Sequence, residues 1–343
     1  MAMLLAVCAM PQPVPEYHAV DRSRFEREIV PAGGPAILRG LVADWPIVAA
    51  GRTSPEALAG WLRDRATEQT GEAWFAAPEI GGRFDFDETL TGYNFDRKRA
   101  SIDQLLDLIL RQQGATRPFG IYAGALPLDR HLPGFLETNP MPLLDRDRDM
   151  LVSLWLGNRT STAAHWDLPQ NLACVVAGRR RFTLFPTDQV DNLYVGPLDR
   201  TLAGQPSSRV DVDRPDFVRF PRFADAIALA QVAELEPGDV LYMPSLWWHA
   251  VRGIDEVGAM VNFWWRDGEL EISPLYSLLH AVLTLGKLPA RERAAWRTLF
   301  DHYVFADHDP VAHLPPEAQG VLGSRTPAMT QALRDQLIRA LRS

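Results

Sequence analysis

The chain has 343 residues, 47% of them apolar and 23% charged, with 24 Gly and 27 Pro. That is globular composition, and it excludes a disordered, collagen-like or coiled-coil chain. The 35 Lys and Arg against 43 Asp and Glu leave a net charge of −8, so the footprint of a general nucleic-acid binder is missing, though a local basic groove stays compatible with that total.

Residues 1–10 (MAMLLAVCAM) are apolar with no Lys or Arg ahead of them, and are expected to form a loose or packed terminus, an export signal being the alternative. A proline-rich lead follows (Pro11, Pro13, Pro15), then a helix over residues 21–29 and a buried strand over 35–41. Residues 61–150 read as short helices and loops. Within them, 101–111 carries apolar residues at 102, 105, 106, 109 and 110, the spacing of an amphipathic helix with Ser101 as N-cap. From 151 to 266 the pattern changes to short apolar runs broken by turns, at 151–156, 171–177, 181–185, 240–244 and 260–265. Gly178 and Pro237-Gly238-Asp239 punctuate them, which predicts an antiparallel sandwich or barrel. The tail is helical, with apolar faces around Leu275–Leu285 and at 331–341, for packing onto the barrel or for a dimer interface. No run approaches about 18 uncharged apolar residues, so no membrane span is expected. Two cysteines, Cys8 and Cys174, make neither a disulfide framework nor a four-thiolate zinc site, which suits a reducing compartment and a cytoplasmic location.

Phosphate-loop, dinucleotide, nucleophile-elbow and zincin motifs are absent. Cys174 sits inside an apolar strand and reads as buried and structural. What remains is His165-Trp166-Asp167. On a strand, residues i and i+2 share a face, so a nitrogen and a carboxylate stand side by side. His249, in the aromatic segment Ser245-Leu246-Trp247-Trp248-His249, is the best third ligand. Two imidazoles and one carboxylate form the facial triad of non-haem Fe(II) oxygenases, leaving three positions for a 2-oxo acid and O₂. A zinc hydrolase more often uses another ligand set. Plain core packing of the three residues is the alternative. A 2-oxo acid also needs a cation for its far carboxylate. In Arg179-Arg180-Arg181-Phe182-Thr183-Leu184, Arg180 shares its face with Phe182 and Leu184, so it is the arginine expected inside a barrel, where it could clamp a carboxylate through two parallel bonds. Three solvated arginines at a hairpin are the competing reading. Trp247, Trp248, Trp264 and Trp265 are candidates either for the pocket wall or for core packing.

The text HWDLPQNLACVVAGRRRFTLFPTDQVDNLY, followed by VDVDRPDFVRFPRF, PGDVLYMPSLWWHAV and VNFWW, resembles the cupin-like JmjC family of Fe(II)/2-oxoglutarate dioxygenases. Within that family it is most similar to the branch of the asparaginyl hydroxylase acting on hypoxia-inducible factor. PAILRGLVADWP is similar to the family's N-terminal segment, so the likeness covers residues 33–266. The resemblance implies a mainly β protein, a double-stranded β-helix (jelly roll). It implies an N-terminal α/β flank over 1–150 whose strands complete the barrel, a core over 151–266, and a helical region over 267–343 that in relatives mediates dimerisation. It implies His165, Asp167 and His249 as iron ligands. Thr162 matches the hydroxyl donor to the 2-oxoglutarate carboxylate, Tyr122 a phenol reaching the same carboxylate, and Asn171 and Asn262 amides near the co-substrate. Two positions depart from that branch: Arg180 stands where it has lysine, and Trp166 where it has tyrosine.

The function so implied is an Fe(II)- and 2-oxoglutarate-dependent hydroxylase of a peptide, a protein side chain or an amino-acid-like small molecule. The alternative is a cupin-like module that binds metal or metabolite without turnover, for which Arg180 in place of lysine is the motive. Lysine demethylation or RNA-base hydroxylation is a further option, to which the net charge of −8 gives no help.

Overall fold

Short apolar strands bounded by turns must bury one face each, and here they bury it against one another. The computed structural model describes residues 11–268 and 272–342; the apolar run at 1–10, with Cys8, lies outside the described residues. The chain divides into two units, residues 1–268 and 269–343.

The first unit holds a six-stranded and a nine-stranded sheet. Met150–Gly157, Gln170–Ala177, Val240–Met243 and Gly258–Trp265 are neighbours in the larger sheet. Ser161–His165, Arg180–Phe185, Gln231–Leu235 and Trp248–Gly253 are neighbours in the smaller one. All pair antiparallel within these groups, and the chain passes back and forth between the two. This is the double-stranded β-helix. Parity sorts the side chains: Ala173, Val175, Phe182, Leu184 and Leu241 meet between the sheets, while Leu172, Cys174 and Val176 join the core shared with the N-terminal helices. Cys174 is the buried free thiol its apolar strand predicts.

The N-terminal part departs from the sequence reading in one respect. Residues 61–150 are not only helices and loops, because Thr70–Ala76, Asp96–Ser101 and Gly120–Pro127 extend the larger sheet at one end. The outermost of these, DRKRAS, is a charged edge strand that shows water a polar face and so carries no apolar alternation. Strands Gln231–Leu235 and Trp248–Gly253 have no apolar run to announce them, being short and rich in small or polar residues, and the strand expected through His165 and Asp167 forms as Ser161–His165 and ends before Asp167. The helix expected over 101–111 forms as Ile102–Leu110 with a complete capping box: Ser101 Oγ accepts from Gln104 N, and Gln104 Oε1 accepts from Ser101 N. The helix expected over 21–29 is a short α-turn, Arg22–Arg24, running into a π-helix, Phe25–Ile29, which brings Phe25 and Ile29 into the core together.

The second unit carries helices Pro274–Leu285, Ala290–Tyr303 and Pro327–Arg342, none of which has a buried residue. No helix among the described residues is long and apolar enough to cross a membrane.

Candidate active site

Strands Ser161–His165 and Trp248–Gly253 run antiparallel in the smaller sheet, in a register that sets His249 opposite His165, the rings 4.4 Å apart. Asp167 lies two residues past the end of its strand, so strand parity alone does not place it. Instead its own carbonyl accepts Leu246 N at 2.9 Å, and Ser245 Oγ donates to the Leu168 carbonyl, tying that turn to the approach of the His249 strand. One ligand atom from each of His165, Asp167 and His249 lies within 4.8 Å of the others.

The imidazoles are oriented from behind. His165 Nδ1 is 2.9 Å from the Ala163 carbonyl and His249 Nδ1 is 3.0 Å from the Trp247 carbonyl. A carbonyl only accepts, so Nδ1 carries a proton in each ring and Nε2 is the nitrogen turned toward the cluster. This is how a protein fixes a histidine ligand's tautomer. Burial lowers the His165 pKa, and His249 adds to that. Burial pushes Asp167 up and His249 down, but their mutual contact, Nε2 to Oδ2 at 3.5 Å, prevails in both: the carboxyl ends below its usual range and the imidazole above its own.

Behind the triad a narrow inner chamber is lined by Tyr122, Thr162, Asn171, Arg180 and Asn262, each a residue singled out from the sequence. Arg180 points inward beside Phe182 and Leu184, 6% exposed, while Arg179 pairs with Asp255 and Arg181 with Glu234 outside. The reading of three solvated arginines is therefore wrong for the middle one. Arg180 makes no hydrogen bond or ion pair among the described residues, and burial lowers its pKa. Thr162 Oγ1, Asn171 Oδ1, Arg180 Nε and Asn262 Nδ2 are all buried without a partner. Asn262 Oδ1 accepts from Trp155 Nε1 at 2.6 Å. Burial raises the Tyr122 phenol pKa, so it remains a hydroxyl. Three of these atoms, Thr162 Oγ1, Arg180 Nε and Asn262 Nδ2, can donate to a small carboxylate-bearing molecule, and an apolar occupant would leave the cation unmatched. The chemistry of the donor set thus fits a metal with a chelating acid beside it.

An outer cavity of about 520 Å³ meets the inner chamber at the triad, the two sharing Tyr122, Trp155, Thr162, His165, Asp167 and Trp264. Of the four tryptophans considered above, only Trp264 walls these cavities; Trp265 stacks on Tyr242, Trp248 packs near Phe185, and Trp247 donates to the Gly33 carbonyl. Trp155 and Ser207 were missed. Trp155 could have been found from the alternation in Met150–Gly157, where Leu154 and Leu156 take the opposite face. Ser207 bridges to His165 across a long loop, and no local pattern announces it.

A family profile described as a cupin-like domain matches residues 22–269. Lysine-specific demethylase 8 of Xenopus tropicalis is 25% identical over 270 residues, covering 77% of this chain and 55% of that protein. Lysine-specific demethylase JMJ31 of Arabidopsis thaliana is 23% identical over 305 residues, covering 78% and 52%. The tRNA wybutosine-synthesizing protein 5 of Danio rerio is 28% identical over 270 residues, covering 74% and 75%. The chain spans about half the length of the two demethylase relatives.

Proposed function

The chain belongs to the cupin-like JmjC family, and on that premise we propose that it is an Fe(II)- and 2-oxoglutarate-dependent oxygenase. It hydroxylates a peptide, a protein side chain or an amino-acid-like small molecule. The observation that carries this reading is the pairing of a two-histidine, one-carboxylate cluster with a buried, unpartnered arginine in the same chamber.

His165, Asp167 and His249 hold the ferrous ion through two neutral imidazole nitrogens and one carboxylate. Arg180 would receive a carboxylate of 2-oxoglutarate, with Thr162 and Tyr122 as hydroxyl donors, and Asn171 and Asn262 would orient the molecule. Iron with 2-oxoglutarate and O₂ would supply the oxidising equivalent for C–H hydroxylation, 2-oxoglutarate leaving as succinate and CO₂. The chain's own contribution is to orient both partners and to wall the site against water with Trp155, Trp264 and Tyr122. The asparaginyl-hydroxylase branch, the cytoplasmic location and a homodimer through the C-terminal helices belong to the same proposal. The relatives' names bring methylated lysine and a tRNA base as competing substrates.

The test is succinate formation matched to 2-oxoglutarate consumption in the presence of Fe(II), abolished in His165→Ala and Asp167→Ala. Full turnover in either variant sinks the assignment. A metal-loaded protein whose melting temperature ignores 2-oxoglutarate would instead support the non-catalytic module, the reading that the wider guanidinium of Arg180 favours.

A further inference from the structure

The outer cavity says what kind of chemical group reaches the metal. The charged side chains of its lining are Glu72, Arg97 and the triad's His165 and Asp167. Glu72 is not free: its carboxylate accepts Trp74 Nε1 at 2.9 Å and lies 3.6 Å from Arg97. Arg97 lies over the rings of Tyr93 and Trp74 and donates to the Leu202 carbonyl, while Tyr93 OH donates to the Thr201 carbonyl at 2.8 Å. These bonds hold the segment that lines the cavity with residues 201–205 and 207. The pair at the rim is charge-balanced and already satisfied.

Deeper in, on the reading proposed above, a dication, the Asp167 carboxylate, the Arg180 guanidinium and a doubly charged 2-oxo acid also sum to zero. No surplus charge of either sign is left to match a buried ion, and an unmatched ion in such a place is strongly disfavoured. Two polar atoms do remain unused beside the triad. Ser207, 4% exposed, sits opposite His165 with its Oγ unpaired, and Trp264 Nε1 is a buried donor without an acceptor, its ring edge-on to Trp155.

We infer that the substrate group inserted at this site is uncharged and bears a hydrogen-bond acceptor for Trp264 Nε1, with Ser207 Oγ as its second polar contact. This rests on the oxygenase reading and goes beyond it, because it rejects both ammonium and guanidinium groups. Ser207 and Trp264 are then specificity-determining residues.

The experiment uses the full chain loaded with Mn(II) and 2-oxoglutarate without oxygen, and reads the paramagnetic relaxation of added protons. The probes are twins of matched shape: citrulline against arginine and glutamine against glutamate. Each is run as the free amino acid and as the N-acetyl methylamide, which separates a metabolite from a chain segment as the source of the group. Relaxation of the 2-oxoglutarate protons themselves reports separately on the co-substrate site. With those protons relaxed, the neutral twin is expected to bind at least about tenfold more tightly than its charged partner. Ser207→Ala and Trp264→Phe are each expected to weaken the neutral twin by about fivefold, and Ser207→Ala, which lines only the outer cavity, to leave 2-oxoglutarate relaxation unchanged. Equal response of the twins, or preference for the charged one, overturns the inference while leaving the oxygenase reading standing. Absence of 2-oxoglutarate relaxation overturns both.

Discussion

Arg180 is where sequence parity, burial and chemistry meet in one side chain. A guanidinium that is 6% exposed with no ionic partner is a burden on the fold, since desolvation is uncompensated until an anion arrives. It follows that Arg180→Met stabilises the ligand-free protein by about 1–4 kcal/mol, read from urea melts, while removing 2-oxoglutarate binding. The wild type gains about 2.7 kcal/mol from Mn(II) and 2-oxoglutarate at a hundredfold excess over Kd, and the variant gains nothing from the acid. A variant less stable than wild type in the absence of ligand would make Arg180 a structural residue. How much of the site was legible divides along the same line. Arg180 follows from alternation on its own strand, whereas Asn171 came through the resemblance. Tyr122, Thr162 and Asn262 came only through the resemblance, because a lone hydroxyl or amide on a strand has no local signature. Ser207 needs the register between His165 and a distant loop, which exists only once the barrel closes.

At the scale of elements, the site is only as rigid as the sheet behind it, and one close contact sets that distance. Helix Pro46–Thr53 lies on the outer face of Gln170–Ala177, the strand that carries Asn171. A Cβ on Gly51 would fall 2.2 Å from the Val176 carbonyl oxygen and 2.8 Å from the Ala177 Cβ. Neither neighbour is a flexible tip that swings aside. Gly51→Ala is therefore expected to lose about 1–3 kcal/mol in chemical denaturation, the usual cost of forcing extra volume into a packed interface. A loss below a few tenths of a kcal/mol would mean the helix slides freely over the sheet. Elements with strong local signals were legible in advance: the capping box at Ser101 and Gln104, and the apolar inner strands. Elements stabilised mainly from outside were not. The charged strand Asp96–Ser101 is a strand because Thr70–Ala76 supplies its hydrogen bonds, not because its own residues alternate.

For the molecule as a whole, the second unit poses a problem the first does not. A helical unit ordinarily buries an apolar stripe from each helix, yet the three helices between residues 274 and 342 bury none of theirs. Tyr276 is 63% exposed, Leu283 72% and Phe305 70%. Exposed apolar side chains of this size on helices mark a surface of the kind that meets another chain. A second copy of the chain, as proposed above, would cover them. Light scattering at micromolar concentration should therefore give twice the chain mass of 38.3 kDa. Leu283→Glu or Phe305→Glu should raise the dimer dissociation constant by about 30-fold or more, the penalty of a hot-spot substitution. Mn(II) and 2-oxoglutarate binding should persist in the dissociated form, because every residue assigned to the triad and the inner chamber lies in the first unit. A wild-type monomer under these conditions would refute the dimer outright. Loss of 2-oxoglutarate binding on dissociation would show instead that the site depends on assembly, which the placement of its residues gives no reason to expect.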